Sequence, residues 1–361
     1  MSVFQWLRRD AGLDVHVFVA SDLSQQRRKL GWRSDEYSEL NWRVIPDDVG
    51  TVRQLVEERR RCVHLVNGYQ RGRKMRAICE LLIEKGIAFG GFSEAPLNFQ
   101  KGVGRALKAV YLRSVLPWRV RHIVRRASFV VNLSGNDPAP MQKIGWCAEK
   151  IIPFGYFPER LPCELGAPAP TLCRERREEQ LKVLVTGNLE WHRGHCVAIR
   201  AIHLCAKANV AVELRIAGDG PLAEDLRLLV ERLGLAERVK FLGLVSLTAL
   251  QDELGQADCV IGSGLVEPWG IRVNDAALLG KVCFVSDGMG VGAFMRTLEP
   301  RLVFNSGDYR ALASMVIRFA RDPEYRRSLE RKAAELAQVF EPRFQANRLS
   351  AALRPFLGTG N

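Results

Sequence analysis

The segment 257–287 constrains the fold of this chain more than any other part of it. Two short and largely apolar runs, 258–261 and 282–286, have the composition of buried strands, and the residues between them have the composition of a loop and a helix. Pro268 suits the first turn of that helix, because its missing N–H would be unpaired there in any case. A strand, a helix and a second strand in this order predict two parallel strands joined by a crossover helix.

Two carboxylates accompany the start of this predicted helix. Gly270 lets the backbone approach a ligand closely, and the first amides of the helix can bind an anion. Glu267 lies just before those amides, at the carboxyl end of a strand, where open α/β sheets bind their ligands. Asp275 follows about two helical turns later, so it shares a face with Glu267. We therefore expect a ligand site in which both carboxylates hold sugar hydroxyls, and Glu267 has no evident ionic partner in the sequence.

These residues resemble the signature of glycosyltransferase family 4, in which a glutamate, an aromatic–glycine pair and a second glutamate form an E-x7-E element. Glu267 matches the first acid, and Trp269 with Gly270 matches the pair. Asp275 stands where the family has its second glutamate, a departure that shortens the reach by one methylene. Ser263 matches the serine ahead of the acid.

Two further motifs of the same family precede this one in the expected order. Residues 181–194 resemble its Gly-Arg-Leu-x3-Lys-Gly element, whose two basic side chains grip the donor diphosphate. Arg193 fills the second basic position, whereas Asn188 replaces the first arginine, so one positive charge is missing. Residues 212–221 resemble a strand that ends in Gly-x-Gly-Pro. The resemblance implies a donor site formed by Gly187, Asn188, Arg193, Gly218, Ser263, Trp269, Gly270, Ile271 and Asp275.

Alternating strands and helices along the whole chain predict parallel, doubly wound sheets. The resemblance implies two Rossmann-like domains facing across a cleft, the GT-B architecture. We expect a first domain over 1–153, a linker over 154–179, a nucleotide-sugar-binding domain over 180–340 and a helix over 341–361 that crosses back to the first domain. The first domain is expected to lack its N-terminal strand, since family members start with a strand and a glycine-rich loop ahead of a strand like 14–20.

The first half carries the charge that is relevant to partners. Its residues 1–150 hold 26 Lys and Arg against 15 Asp and Glu, so they carry most of the net charge of +13. From 101 to 126 there are basic residues and no acid, interleaved with apolar and aromatic residues, and Pro117 is expected to kink or split this helix. Such a segment favours contact with an anionic membrane surface, although a helix packed on the sheet with solvated charge is the alternative. The basic residues are Lys101, Arg105, Lys108, Arg113, Arg119, Arg121, Arg125 and Arg126.

Other patterns limit the chemistry. Glu94, which follows a predicted strand over 87–92, resembles the position that faces the donor in this family and is a second candidate catalytic acid; a solvated loop acid is the alternative.

The spacing of His192, His195, Cys196 and His203 does not match a zinc site, so no metal and no cofactor besides the nucleotide-sugar co-substrate is expected. Nine scattered cysteines without a Cys-x-x-Cys pair indicate free thiols in a reducing cytoplasm. No run reaches the roughly 18 uncharged apolar residues of a membrane span.

The resemblance implies a metal-independent glycosyltransferase of the hexosyltransferase type that retains anomeric configuration. In this interpretation Glu267 holds the donor sugar near the reacting carbon, and Asp275 holds the ribose. The implied partners are a nucleotide sugar, a lipid-linked or polysaccharide acceptor and the inner face of the membrane, with the protein cytoplasmic or peripheral. The expected absence of the N-terminal strand and the departures at Asn188 and Asp275 favour a non-catalytic relative, a scaffold or sugar-nucleotide sensor, as the alternative. No nucleic-acid-binding motif accompanies the basic run.

Overall fold

The computed structural model describes residues 2–19, 40, 42–70, 72–159 and 180–357. They form two compact units. The first comprises Met1–Leu133, Asp137–Phe154 and Pro342–Asn361, and the second comprises Ser134–Asn136 and Gly155–Glu341. The division after Phe154 lies beside the predicted end of the first domain at 153. Most of the predicted linker, from 160 to 179, lies outside the described residues.

The second unit is built on a six-stranded parallel sheet in the order β12-β11-β10-β7-β8-β9. Its strands are β7 (Leu181–Thr186), β8 (Val212–Ala217), β9 (Val239–Gly243), β10 (Cys259–Gly262), β11 (Val282–Ser286) and β12 (Val303–Phe304). Most of their side chains are buried, since helices cover both faces of such a sheet. Counted within the unit, the order is 6-5-4-1-2-3, which is the strand order of a dinucleotide-binding fold.

Helices connect these strands and continue after the last one. They are α7 (His195–Lys207), α8 (Ala223–Arg232), α9 (Leu247–Gln256), α10 (Ile271–Leu278), α11 (Gly290–Leu298), α12 (Tyr309–Arg321) and α13 (Pro323–Phe340). Oxygen-bearing side chains cap three of them: Ser246 accepts from Ala249 N, Asp308 from Arg310 N and Ala311 N, and Asp322 from Tyr325 N. Short loops therefore lead directly from strand ends to helix starts, as the alternating sequence pattern predicts.

The first unit contains a four-stranded parallel sheet in the order β3-β4-β5-β6 and a separate parallel pair, β1-β2. The strands are β1 (Phe18–Val19), β2 (Arg43–Val44), β3 (His64–Val66), β4 (Phe89–Ser93), β5 (Phe129–Asn132) and β6 (Ile151–Pro153). The helices are α1 (Ser2–Arg9), α2 (Val49–Glu58), α3 (Arg73–Glu84), α4 (Gly102–Val110), α5 (Leu116–Arg126), α6 (Ala139–Gln142) and α14 (Pro342–Leu353). The core of this unit contains Val66, Leu82, Val120, Val130 and Trp146.

The sequence predicts a buried strand over 14–20, but the structure has only a short strand there, outside the four-stranded sheet. Only Phe18–Val19 is a strand, its residues are half-buried, and it pairs with β2 instead of joining the four-stranded sheet. His16 Nε2 donates to Asp14 Oδ2 at 2.9 Å, so the polar members of the run bond to each other. Ala20 lies outside the described residues. Apolar alternation over so short a run was not enough to define a core strand.

The basic segment forms one helical run from Gly102 to Arg126, which Pro117 does not split. Between α4 and α5 the residues Tyr111–Val115 form a turn of π-helix, in which Leu116 N donates to Tyr111 O. A proline ring inside an α-helix clashes with the carbonyl four residues earlier, and a wider turn just ahead of it relieves that crowding. The proline therefore changes the local winding and leaves the helical path continuous.

The C-terminal helix α14 belongs to the first unit. Arg343 bonds to the carboxylate of Asp10, and its guanidinium lies 5.4 Å from the Trp6 ring centroid. Beyond the helix, the Phe356 ring lies 4.4 Å from that of Phe129. These contacts attach the last described residues to α1 and β5.

Candidate functional site

The strand order of the second unit defines where a ligand can bind. From β7 the chain crosses to β8, towards one edge of the sheet, and from β10 it crosses to β11, towards the opposite edge. The loops that leave the carboxyl ends of β7 and β10 therefore diverge, and ligands of open α/β sheets bind in the crevice at such a point. A cavity of about 240 Å³ lies there, lined by residues 185–188 and 260–264 among others.

Seven of the residues predicted from the sequence line this cavity. They are Gly187, Asn188, Arg193, Ser263, Glu267, Gly270 and Ile271. Gly218, Trp269 and Asp275 do not belong to its lining. The motifs that the sequence places 74 positions apart are thus brought to one cavity by the adjacency of β7 and β10.

The loop after β7 ends in a short 3₁₀ turn, Trp191–Arg193, and then Gly194, which precedes α7. Gly194 has φ 68°, and a Cβ atom there would lie 2.0 Å from the carbonyl oxygen of Ser263. Only glycine fits this contact, because the close approach leaves no room for a Cβ atom and the left-handed backbone disfavours a side chain. The start of α7 is therefore packed directly against the loop after β10.

Arg193 and Glu267 form an ion pair inside the cavity: the Arg193 Nη1 atom donates to Glu267 Oε1. The Glu267 side chain is only 9% exposed, and Arg193 is held as well through its carbonyl oxygen, which accepts from Ser263 Oγ at 3.1 Å. Arg193 Nε is buried and has no hydrogen-bond partner among the described residues. Glu267 therefore has an ionic partner that was not evident in the sequence, because Arg193 lies on the loop after a neighbouring strand.

The backbone of Glu267 is fixed on both sides by the loop after β11. Its N–H donates to Gly288 O at 2.9 Å, and its carbonyl oxygen accepts from Gly290 N at 3.1 Å. Glu267 thus pairs with Met289 as in a parallel sheet, although neither belongs to a strand. The carboxylate is presented to the cavity from a rigid position, which suits a group that must orient a ligand.

Gly270 permits the sharp entry into α10. Its φ is 107°, and a Cβ atom there would lie 2.3 Å from the Met289 Cε atom. Ile271 and Arg272 then begin the helix, and both line the cavity. The first amides of a helix carry partial positive charge and have no intrahelical acceptor, so this wall can receive an anion.

Asp275 differs from its predicted role. Its side chain is 3% exposed, it does not line the cavity, and its Oδ2 atom accepts from Arg272 Nη1 at 2.8 Å. Burial raises the pKa of the Asp275 carboxyl, and the charge and hydrogen bond of Arg272 oppose that rise. Its carboxylate therefore bonds a neighbour on its own helix, which does not support the expected ribose contact. Sequence reasoning missed Arg272, although its i, i+3 spacing from Asp275 was a usable signal.

Trp269 and Gly218 have packing roles. The Trp269 ring lies 5.2 Å from that of Phe157 and 5.7 Å from that of Phe294, and its Nε1 donates to Asn274 Oδ1 at 2.8 Å. A Cβ atom at Gly218 would lie 2.0 Å from the carbonyl oxygen of Gly187. Trp269 thus packs in the core and does not line the cavity, which does not support the donor contact that the resemblance implies.

The remaining candidate acid belongs to the first unit. Glu94 follows β4 directly and is exposed, and its carbonyl oxygen accepts from Gln70 Nε2 at 3.3 Å and from Ser93 Oγ at 3.0 Å. The structure places Glu94 at the carboxyl end of a parallel strand, the position from which a ligand can be contacted. Its catalytic role stays a prediction.

The basic segment exposes apolar side chains as well as charge. In α4 no residue is buried, and in α5 only Leu116, Val120, Ile123 and Val124 are buried. Its exposed large apolar residues are Val103, Leu107, Val110, Val115 and Trp118. The predicted basic residues are exposed, except for the half-buried Lys108, whose ammonium lies 4.6 Å from the Tyr111 ring centroid. This surface, residues 101–121, is therefore apolar and cationic together.

His195 is a buried residue beside Arg193. It is the first residue of α7, 2% exposed, and neither ring nitrogen has a hydrogen-bond partner among the described residues. Burial, together with the nearby charge of Arg193, lowers the pKa of His195 to about 4. The imidazole is therefore neutral near pH 7. In the described part of the chain no three His, Cys, Asp or Glu residues are grouped so as to hold a metal ion.

Comparison with known proteins agrees with this architecture. Residues 174–336 match the family model described as glycosyl transferases group 1. The chain is 26% identical over 230 residues to alpha-D-kanosaminyltransferase of Streptomyces kanamyceticus, covering 62% of this chain and 58% of the relative. It is 28% identical over 226 residues to the lipopolysaccharide core biosynthesis glycosyltransferase LpsD of Rhizobium meliloti, covering 62% and 61%. The chain spans between about a quarter and three fifths of the length of the first curated relatives it matches.

The fold matches solved glycosyltransferases over nearly the whole chain. HepE of Anabaena, whose crystal structure contains UDP and glucose, aligns with a TM-score of 0.63 at 17% identity, covering 98% of this chain and 95% of that one. This likeness confirms the predicted fold class, a pair of Rossmann-like domains with parallel sheets. Residues 174–336 of the second unit are therefore similar to the glycosyl transferases group 1 family, and the fold is GT-B.

Proposed function

We propose that this protein is a glycosyltransferase of family 4 that moves a hexose from a nucleotide-diphosphate donor to a lipid-linked or polysaccharide acceptor in cell-surface glycan synthesis. The observation that carries the proposal is the cavity between the β7 and β10 loops, where Arg193 and Glu267 meet beside the start of α10. The match of residues 174–336 to the glycosyl transferases group 1 model supports it, and so do the activities that the relatives' names state.

The cavity offers what the departure of a diphosphate requires. The acceptor oxygen bonds to the anomeric carbon, the bond from that carbon to the phosphate oxygen breaks, and the diphosphate leaves with the electron pair and takes up the acceptor's proton. Negative charge on the leaving group is stabilised by a guanidinium and by helix amides that are already oriented. Arg193 and the N-terminus of α10 supply these groups, so the proposal needs no metal ion.

Glu267 would act on the donor sugar in this reaction. Its carboxylate is fixed by Arg193 and by the backbone bonds to Gly288 and Gly290. A carboxylate beside the reacting carbon accepts hydrogen bonds from sugar hydroxyls and favours the positive charge that develops on the sugar. Transfer with retention of configuration belongs to the proposal, and NMR of the anomeric proton of the product tests it.

The first experiment is a transfer assay with UDP-, GDP-, ADP- and dTDP-sugars and glycolipid acceptors. Donors are first chosen by thermal shift, because a ligand at 100 times its Kd adds about 2.7 kcal/mol of stability. Glu267→Gln should lower turnover at least about tenfold, which corresponds to about 1.4 kcal/mol in the barrier. Glu335→Gln, an exposed glutamate paired with Lys332, is the control and should leave turnover unchanged. Unchanged turnover in Glu267→Gln contradicts the assignment, and unchanged turnover with a chelator is expected.

A non-catalytic role is favoured by two observations: Asn188 supplies no charge to the cavity, and Asp275 is engaged by Arg272. The same assay separates the two functions. A scaffold or sensor would be stabilised by sugar nucleotides but would neither transfer nor hydrolyse them, whereas an enzyme would release the nucleoside diphosphate.

We propose further that the surface 101–121 attaches the protein to the inner face of an anionic membrane, which holds a lipid-linked acceptor. Five exposed apolar side chains beside exposed Lys and Arg match an interface of acyl chains and anionic headgroups. No helix of the described residues is long and apolar enough to cross a bilayer. Each cationic residue near such a surface contributes about 1 kcal/mol of binding.

Liposome sedimentation tests this attachment. Reversing Lys101, Arg105, Lys108 and Arg113 to Glu should abolish binding to anionic liposomes and spare donor binding. A matched control reverses four exposed arginines of the second unit, Arg227, Arg232, Arg327 and Arg331, which changes net charge equally. Leu107→Ser with Trp118→Ser should weaken binding without changing charge. Equal losses of liposome binding in the two charge-reversed variants would mean that only net charge matters. Wild-type protein that does not bind anionic liposomes would refute the attachment.

A further inference from the structure

The cavity contains a second arginine that the family pattern does not assign. Arg272 is the second residue of α10, its side chain is 43% exposed, and it lines the same cavity as Arg193 and Asn188. Asn188 stands where the resembled family has the first of two cations. A neutral amide there leaves the wall of the β7 loop with Arg193 as its one charged lining residue among those described.

We propose that Arg272 is the second cation of a diphosphate site, positioned by Asp275 and compensating for the neutral Asn188. The proposal rests on the proposed function, because it assigns the group that receives the donor's diphosphate. Arg193 then binds from the loop after β7 and Arg272 from the start of α10. The ligand class is a nucleoside diphosphate, bound through its two phosphates.

The contacts of Arg272 fit this role. A guanidinium carries five N–H donors in a planar fork, and the bond from Nη1 to Asp275 Oδ2 at 2.8 Å uses one of them. The remaining donors are available for phosphate oxygens, which guanidinium groups bind bidentately. The first amides of α10 stand at the same helix end, so their partial charge adds to that of Arg272.

The contacts of Asp275 explain why an aspartate is useful there. The carboxylate is 3% exposed and lies three residues after Arg272 on the same helix. A buried carboxylate paired with a half-exposed guanidinium restricts the arginine to few rotamers, which lowers the entropy lost when phosphate binds. Asp275 is therefore a positioning residue, and Arg272 is the group that touches the ligand.

The alternative is that Arg272 only neutralises the buried Asp275. The two roles differ in what happens when both residues are replaced. In Arg272→Gln with Asp275→Asn the buried carboxylate is gone, so the stability of the fold no longer needs the arginine. If Arg272 binds phosphate, the double variant should bind the ligand more weakly than the wild type does. If Arg272 only neutralises Asp275, the double variant should bind the ligand as well as the wild type does.

The experiment is calorimetric titration of the full chain with inorganic pyrophosphate, a probe that is independent of the unknown base. Arg272→Ala should weaken pyrophosphate binding at least fivefold, Arg272→Lys should recover part of it, and the double variant Arg272→Gln/Asp275→Asn should bind as weakly as Arg272→Ala. Arg193→Ala is the positive control. Arg318→Ala, an exposed arginine on α12, should change binding less than twofold.

Two results would overturn the inference. One is an Arg272→Ala or double variant that binds pyrophosphate as the wild type does while Arg193→Ala binds weakly; the other is wild-type protein that does not bind pyrophosphate. The transfer assay reports separately on the proposed function. If the protein turns over but its pyrophosphate binding does not depend on Arg272, this inference alone is refuted. If pyrophosphate binding depends on Arg272 but the protein shows no turnover, the catalytic function alone is refuted.

Discussion

Arg193 and Glu267 are joined by an ion pair that connects the loop after β7 to the loop after β10. The pair stands at the point where the crossovers of the sheet diverge, on the wall of the cavity. Because Glu267 is also bonded through its backbone to the loop after β11, three loops are held in one arrangement. The group proposed to bind phosphate and the group proposed to bind sugar are therefore not independent.

A double-mutant cycle should reveal this dependence in stability. Glu267→Gln, Arg193→Ala and the combined variant are expected to show a coupling free energy of about 1–2 kcal/mol in urea unfolding, because the pair is half shielded from water. The exposed pair Lys332–Glu335 is the control, for which a coupling below about 0.5 kcal/mol is expected. Additive effects of Glu267→Gln and Arg193→Ala would show that the pair does not stabilise the fold.

His195 should make the stability of the protein depend on pH in the mildly acidic range. Its pKa in the folded protein is about 4, whereas its ordinary value is 6.5, so the unfolded chain takes up the proton first as pH falls. Stability is then lost between pH 6.5 and 4, by about 3 kcal/mol for a shift of this size. His195→Leu should remove this loss, which unfolding at pH 7, 5.5 and 4 measures. The same pH dependence in both proteins would exclude His195 as its source.

The sequence was sufficient for elements whose pattern is local. The strands predicted at 258–261 and 282–286 occur as Cys259–Gly262 and Val282–Ser286, because each is a short apolar run bounded by polar or glycine residues. The helix predicted near Pro268 begins only at Ile271, after the left-handed Gly270, so the prediction that Pro268 lies in its first turn is wrong. Since these signals depend on neighbours in the chain, the fold class could be predicted in advance.

Contacts between distant segments could not be predicted in this way. Arg193 and Glu267 are 74 positions apart, and neither motif predicts that β7 and β10 are neighbours in the sheet. The burial of Trp269 depends on Phe157 and Phe294, which lie far from it in the chain. Arg272 was visible at helical spacing from Asp275, yet the family pattern assigns no role to its position, so its place in the cavity became evident only from the structure.

Asp275 and Asp322 should respond to pH in opposite directions. Burial raises the pKa of Asp275 above its ordinary 3.8, so as pH rises the unfolded chain loses this proton first and the wild type loses stability relative to Asp275→Asn. Asp322 caps α13, and the backbone bond from Tyr325 N lowers its pKa. The unfolded chain therefore keeps that proton longer, and the wild type gains stability relative to Asp322→Asn as pH rises. Thermal unfolding between pH 3 and 7 measures both, and slopes of equal sign would contradict this assignment.

Gly194→Ala should be far more damaging than Gly234→Ala, although both glycines have nearly the same backbone. Their φ angles are 68° and 66°, so either alanine pays the cost of a left-handed conformation, about 1–2 kcal/mol. At Gly234 nothing lies within 4 Å of the new Cβ atom, so the cost of the left-handed conformation is the whole loss of stability. At Gly194 the Cβ atom would lie 2.0 Å from Ser263 O, so the loops after β7 and β10 must separate.

We expect Gly194→Ala to lose at least about 2 kcal/mol more than Gly234→Ala in urea unfolding, since the backbone at Ser263 cannot yield as a flexible side chain would. The separation also moves Arg193, the residue before Gly194, away from Glu267. Pyrophosphate binding should therefore weaken in Gly194→Ala and stay unchanged in Gly234→Ala, both measured by calorimetry under conditions where each variant is folded. Equal stability losses with equal binding would show that the close packing of Gly194 on Ser263 neither stabilises the second unit nor positions Arg193.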